Sequence, residues 1–204
     1  MNALLIALQF LTRLPVPATD YNPADRQASI YWYAVVGLII GTLLWLSQAL
    51  LLWIAPQLNN GITAAVLLCL WVLLTGALHL DGLADSADAW LGGTTVERTL
   101  AIMKDPRSGA AGVTSIVLLL LLKFACLQQL LEQATLSLLL APALARILMP
   151  VLFLHTPYVR EDGLATPFSS GLSSKRSYLG VACISLLWCV WLGPMAAFAL
   201  LPVG

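Results

Sequence analysis

The sequence predicts an all-α protein: a polytopic transmembrane bundle of about five spans, preceded by a short N-terminal interfacial helix. Three observations carry that expectation. The 204 residues are 60% hydrophobic and only 10% charged, whereas soluble domains carry about 25% charged residues. Mean hydropathy is +0.89. The apolar residues also gather into runs matching the roughly 20 helical residues that a bilayer core requires. A soluble all-α core is the alternative, and the run lengths argue against it. Formal net charge is zero, so no polyanion such as nucleic acid is implied as a partner.

The elements follow in order. The first eleven residues are apolar but too short to cross a bilayer. They lack a basic leader, and Arg13 interrupts before a small-residue cleavage site, which favours an interfacial helix over a signal peptide. Spans are expected at residues 29–54, 61–80, 110–131, 135–155 and 178–201. Tyr31, Trp32 and Tyr33 open the first span and Trp53 closes it, as interfacial aromatic anchors do. Cys69, Cys126, Cys183 and Cys189 lie inside apolar runs without ligand spacing, so they read as small core- or lipid-facing residues. No repeat or soluble insertion divides the chain, and residues 1–204 read as one integral membrane domain.

Orientation follows from charge. Arg13, Arg26, Arg98, Lys104, Arg107, Arg160, Lys175 and Arg176 fall in the N-terminal segment and the two long connections, and the two short turns hold no basic residue. The positive-inside rule then places the N-terminus and both long loops in the cytoplasm. Lys123 and Arg146 remain inside expected spans. Snorkelling or pairing within the bundle accounts for Lys123, whereas Arg146 lies deep enough to be a functional candidate.

The chemistry concentrates in one region. Five of the ten acidic residues lie within 25 positions: Asp81, Asp85, Asp88, Glu97 and Asp105. The run His79-Leu80-Asp81-Gly82-Leu83-Ala84-Asp85-Ser86-Ala87-Asp88 places its aspartates at i, i+4 and i+7, one face of a helix. Oxygen donors without Cys suit a hard cation such as Mg²⁺. Gly82 and Ala84 leave room for a bulky ligand or for close helix packing. His79 lies about 160° from Asp81 around an ideal helix, so packing is its default role. Arg98, Lys104 and Arg107 follow within reach of phosphate oxygens, and Pro106 is expected to end regular helix near Asp105. Together these groups suggest phosphoryl or diphosphate chemistry, with one carboxylate of the cluster, Asp81, Asp85, Asp88 or Glu97, taking the proton. The plainer reading makes the aspartates a helix cap and a solvated face. Their density in a chain so poor in charge argues for the site.

These stretches resemble the cobalamin synthase family, the adenosylcobinamide-GDP ribazoletransferases. The resemblance rests on Phe10-Leu11-Thr12-Arg13-Leu14-Pro15-Val16-Pro17, on the run from Thr75 to Asp88, and on Glu97-Arg98 through Ile102-Met103-Lys104-Asp105-Pro106-Arg107-Ser108-Gly109. Ala143-Leu144-Ala145-Arg146 and Arg160-Glu161-Asp162-Gly163-Leu164 add weaker support. It implies an inner-membrane enzyme, its active site facing the cytoplasm, that joins α-ribazole or its 5′-phosphate to adenosylcobinamide-GDP and releases GMP. Mg²⁺ is the implied cofactor, with Asp81, Asp85 and Asp88 as metal ligands. Arg13, Arg98, Lys104, Arg107 and Arg146 are the implied phosphate-binding residues. The lipid bilayer and the two substrates are the implied partners, and a homo-oligomer is compatible with the reading. Members of that family usually continue with a further apolar segment and a Gly-Gly-x-Thr-Gly-Asp-like motif, and the chain is expected to lack that segment.

Three rivals remain. Aspartate-rich prenyltransferases need a second aspartate cluster. CDP-alcohol phosphotransferases need Arg directly after the Ala of their Asp-Gly-x-x-Ala core, where Asp85 stands here. A transporter favours polar groups at the midplane, whereas this chain gathers them at one surface.

Overall fold

The computed structural model describes residues 2–18, 22–133 and 137–156. The expected fifth span, at 178–201, lies outside them, as do Arg160, Lys175, Arg176, Cys183 and Cys189. The described residues are helical throughout apart from turns and connections, with no strand among them. The chain divides into two compact units, residues 1–57 with 132–204 and residues 58–131.

The first unit contains α1 (Asn2–Leu11), α2 (Pro23–Ser29), a 3-10 turn (Ile30–Trp32), α3 (Tyr33–Ile54) and, from later in the chain, α8 (Ser137–His155). Asn22 starts α2 by accepting the Ala24 N–H at 3.1 Å. Pro23, next to it, brings a φ already suited to a helix. The helical path from Pro23 to Ile54 covers 32 residues, long and apolar enough to cross a membrane. It begins six residues before the expected boundary because the Asn-Pro cap moves the start upstream.

The 3-10 turn and α3 together bury one stripe, with Ile30 and then Tyr33, Val36, Ile40 and Leu44 all 2% exposed or less. The spacing follows a helical face. Phe10 of α1 stacks on Tyr33 with ring centroids 6.1 Å apart. Gly37 and Gly41, one turn apart, let α8 approach α3 closely. A Cβ on Gly37 would stand 2.6 Å from the Ala143 Cα, and one on Gly41 would stand 2.7 Å from the Leu139 Cα. Small residues four apart bring apolar helices to backbone contact. Tyr31, Trp32 and Trp53 are exposed, as the aromatic-anchor reading requires. Tyr33, expected as a third opening anchor, is instead fully buried and packs in the core against Phe10.

The second unit holds α4 (Asn60–Thr75), α5 (Leu78–Gly92), α6 (Val96–Ile102) and α7 (Ala110–Gln133). Asn59 caps α4 through the Ile62 N–H at 2.9 Å. Within α7, residues 110–132 form the second run that passes the crossing criteria. Leu118, Leu121 and Leu122 on that helix are about 60% exposed, an apolar surface suited to lipid.

Among the described residues, two helices satisfy the length and composition of a membrane crossing, or three if α4 and α5 count as one broken span. The expectation of about five is therefore supported only in its coarser form. The apolar run expected at 61–80 does not continue as one helix. Gly76 and Ala77 both turn left-handed, with φ of 61° and 57°, and α5 leaves at 86° to α4. Glycine tolerates that conformation, whereas for alanine it is uncommon. The fourth expected span forms as α8, but its apolar part, Leu138–Leu152, is too short to pass. At about 1.5 Å per residue those fifteen positions cover less than a full hydrocarbon core.

Candidate functional site

The break at Gly76 and Ala77 creates the site's frame. Because α5 starts afresh at Leu78, Asp81 falls in its first turn, where a carboxylate meets the positive end of the helix dipole. Helix α5 runs unbroken to Gly92, so Asp81, Asp85 and Asp88 do share one face. Asp81 is exposed, and Asp85 and Asp88 are half-buried. The small residues between them divide their work. A Cβ placed on Gly82 meets nothing within 4 Å, which leaves the face open there. Ala84 is 1% exposed, and its carbonyl and Cβ lie against Gly112.

Asp88 has a structural duty that its spacing alone did not predict. Its two carboxylate oxygens accept the Gly109 N–H at 2.7 Å and the Gly112 N–H at 2.8 Å. Those donors open α7 and have no partner within the helix. The carboxylate thus caps α7 from a different helix. Any side chain at Gly109 or Gly112 would intrude on Asp88. The plainer reading of the aspartates as a cap therefore holds for one of the three.

The connection from α5 to α7 carries the basic groups. Thr95 starts α6, accepting the Arg98 N–H at 3.3 Å. Arg98 Nε donates to the Gly92 carbonyl at 3.1 Å, tying the two helices. Helix α6 ends at Ile102, three residues before Asp105, and Pro106 follows in the turn. Asp105 accepts the Arg107 backbone N–H at 3.0 Å and pairs with its guanidinium through Nε at 3.0 Å and Nη2 at 2.8 Å. That guanidinium and backbone donor lower the Asp105 carboxyl to about 2 and raise Arg107 in return. Lys104 and Arg107 are exposed.

Glu97 is exposed in the first turn of α6. Its own backbone N–H, then Thr95, hold its carboxyl below the usual value. A lowered pKa makes a carboxylate a weaker proton acceptor at neutral pH. Arg13 and Arg146 belong to the first unit. Arg13 is exposed after α1, and Arg146 is half-buried on α8.

Among the described residues, no three His, Cys, Asp or Glu side chains gather as a ready ligand set. Mg²⁺ does not need one, since it commonly binds through one or two carboxylates with waters and substrate phosphates. Asp81 and Asp85, one turn apart beside the open Gly82, supply oxygen donors of that kind. The donor chemistry fits a hard cation with Asp88 kept mainly as a cap.

Pairing within the bundle, one of the two expectations for Lys123, is what the structure shows, though the sequence named no partners, and the helix break was missed. Lys123 of α7 places Nζ 4.5 Å from the centre of the Trp71 ring and 3.5 Å from His79 Nε2. His79 in turn places Nδ1 3.4 Å from Thr75 Oγ1. A cation inside an apolar run was the available signal, but its partners sit 44 and more positions away in the chain. The helix break was signalled only weakly, by Gly76.

Among the described residues, helices of membrane-crossing length, joined to a segment dense in carboxylates and guanidinium groups, define a protein of the helical membrane type. The family model of cobalamin-5-phosphate synthase matches residues 3–204, and the chain belongs to that family. An adenosylcobinamide-GDP ribazoletransferase of Stutzerimonas stutzeri strain A1501 is 49% identical over 208 residues, covering 100% of this chain and 82% of the relative. One from Pseudomonas putida strain F1 is 50% identical, covering 97% and 82% respectively. Another, from Pseudomonas entomophila strain L48, is 52% identical over 191 residues, covering 92% and 76%. No solved structure matches the chain.

Proposed function

We propose that the chain is a membrane-bound adenosylcobinamide-GDP ribazoletransferase. It joins adenosylcobinamide-GDP to α-ribazole, or to α-ribazole 5′-phosphate, and gives adenosylcobalamin, or its 5′-phosphate, with release of GMP. The observation that carries this reading is the 49% identity to a ribazoletransferase along the whole chain. The prenyltransferase, CDP-alcohol phosphotransferase and transporter readings have no comparable support.

The polar face of the second unit is the proposed reaction centre. Arg98, Lys104 and Arg107 hold diphosphate oxygens, arginine through paired donors. Arg13 and Arg146 are further candidates for substrate phosphate. Arg146 supports that role by being half-buried without a hydrogen bond or ion pair among the described residues. Asp81 or Asp85 accepts the ribazole hydroxyl proton as the hydroxyl oxygen bonds to the phosphorus nearer cobinamide. The bond from that phosphorus to the bridging oxygen breaks, and GMP carries the bridging oxygen away. Glu97, its carboxyl held below the usual value by its own backbone N–H and by Thr95, is a further candidate acceptor. Asp88 contributes by holding α7 in register with α5. Mg²⁺ bound to Asp81 and Asp85 would neutralise charge on the diphosphate.

The reading places the enzyme in the cytoplasmic membrane with this face toward the cytoplasm, where nucleotide substrates are found. The basic residues at 13, 26, 98, 104 and 107 support that orientation. Assembly into homo-oligomers is compatible with it. Washed membranes containing the chain, given adenosylcobinamide-GDP, ribazole phosphate and Mg²⁺, are expected to yield a corrinoid product with equimolar GMP. Passage of substrate across sealed vesicles without chemical change would overturn the assignment.

A further inference from the structure

Lys123 is a charge in the middle of an apolar helix. It lies thirteen residues into α7, about 20 Å from its start, and ten residues before its end. Ionisable groups at such depth are costly and generally have a functional reason. Two residues of the α4–α5 corner, Trp71 and His79, stand against it, and Thr75 stands behind His79. Trp71, 8% exposed, offers its ring face 4.5 Å from Nζ. His79 Nε2 stands 3.5 Å from the same nitrogen. Thr75 Oγ1 lies 3.4 Å from the other ring nitrogen of His79, and 3.0 Å from the Trp71 carbonyl.

The hydrogen-bond directions follow from donor chemistry. An ammonium only donates, so His79 Nε2 accepts. The Thr75 hydroxyl donates to its own helix, so its oxygen is left to accept from His79 Nδ1–H. One cation thereby grips the last turn of α4 by ring contact and the first turn of α5 by hydrogen bond. Between them lie Gly76 and Ala77, the left-handed pair that turns the chain through 86°. The Ala77 N–H closes α4 on the Val72 carbonyl at 3.1 Å, and the Ala77 carbonyl opens α5 by accepting from Leu80 and Asp81. The two helices thus meet at one residue, and the Lys123 contacts join them a second time. Asp81 follows His79 by two residues, and its position is set by the direction in which α5 leaves.

We propose that Lys123 is a positioning residue for the transfer reaction. It clamps the α4–α5 corner through His79 and Trp71 and so fixes the direction of the aspartate-bearing helix. The proposal rests on Asp81 and Asp85 forming the reaction centre. Displacement of a catalytic group by about 1 Å costs up to a hundredfold in rate, so the effect falls on turnover more than on substrate binding.

The test compares Lys123→Met, Lys123→Arg, His79→Ala and the Lys123→Met/His79→Ala double variant in detergent-purified protein. Lys123→Met is expected to lower kcat about ten- to a hundredfold, with KM for adenosylcobinamide-GDP little changed. Lys123→Arg, which keeps the cation over the ring and a donor toward His79, should recover most of the loss. The double variant should be no worse than the more damaged single one, and the melting temperatures should show the same non-additivity. Unchanged kcat in Lys123→Met, strictly additive losses, or no recovery in a folded Lys123→Arg protein would each overturn the clamp. If Lys123→Met does not fold, His79→Ala and Lys123→Arg carry the same comparison. Asp85→Asn assayed alongside separates the two readings. Full activity in Asp85→Asn removes the reaction centre, whereas a dead Asp85→Asn beside a wild-type Lys123→Met removes only the clamp.

Discussion

Asp88 on α5 caps α7 at Gly112, with its Oδ1 2.8 Å from the glycine N–H and its other oxygen taking the Gly109 N–H. A residue placed by spacing among metal ligands thus also joins two helices. Removing it as Asp88→Ala leaves two N–H groups without their acceptor. The expected loss is about 1–3 kcal/mol, seen as a lower melting temperature in detergent. Asp88→Asn, which retains an acceptor oxygen, should lose less. Equal melting of the wild type and Asp88→Ala would remove the cap.

Gly112→Ala probes the same junction from the other side. The added methyl falls on the Asp88 carboxylate and crowds the Ala84 carbonyl. Overpacking of this kind costs about 1–3 kcal/mol. The control is Gly82→Ala, where the space is open. It should cost nothing by packing, and a thermal melt of both variants reads the difference.

Ala77 adopts φ of 57° without being glycine. The left-handed conformation costs an L-residue about 1–2 kcal/mol, partly offset by the chain entropy that glycine would lose on folding. Ala77→Gly is therefore expected to stabilise the protein by about 0.5–1 kcal/mol. A lower melting temperature for Ala77→Gly would contradict the geometry of the corner.

The Asp105 carboxyl, at about 2, lies below the usual carboxylate range because of Arg107. A depressed folded-state value means that the pair's contribution is fully present above the ordinary carboxylate pKa. It fades as pH falls toward 2. Between neutrality and pH 5 the turn should not change. A carboxyl-carbon NMR titration should place the Asp105 midpoint near 2, and in Arg107→Ala it should rise to the ordinary range. A midpoint unmoved by that substitution would show that Arg107 is not the cause.

Asp85→Asn removes a charged oxygen donor from the open face of α5 while keeping its shape. Turnover should fall by at least about a hundredfold, with the protein still folded in membranes. Chelation of divalent cations should silence the wild type, and Mg²⁺ should restore it. Undiminished activity of Asp85→Asn at saturating Mg²⁺ would refute the proposed metal assignment.

Much of this architecture was legible in the residues, and the illegible parts have physical reasons. The runs that became α3 and α7 were plain from hydropathy, since each apolar stretch met the required length without help from tertiary contacts. The 61–80 run misled because hydropathy does not register backbone conformation. Gly76 and Ala77 are as compatible with continued helix as with a sharp corner. The shared face of Asp81, Asp85 and Asp88 followed from helical period. The capping of α7 by Asp88 did not, because it depends on a partner 21 positions onward. Gly37 and Gly41 carried a readable spacing for close helix contact, although the sequence did not say that α8 would fill it.

The bond from Asp88 to Gly109 also has a consequence for the segment it encloses. Residues 89–108 begin and end at one point, so they form a closed loop on the surface of the second unit. Arg98 and Gly92 narrow it again, and Asp105 with Arg107 stiffens its far side. A chain already closed has fewer conformations to lose when a ligand settles on it. If Arg98, Lys104 and Arg107 receive a diphosphate, much of the ordering is complete before it arrives. Cutting the backbone within this loop should then weaken substrate binding even though every side chain remains.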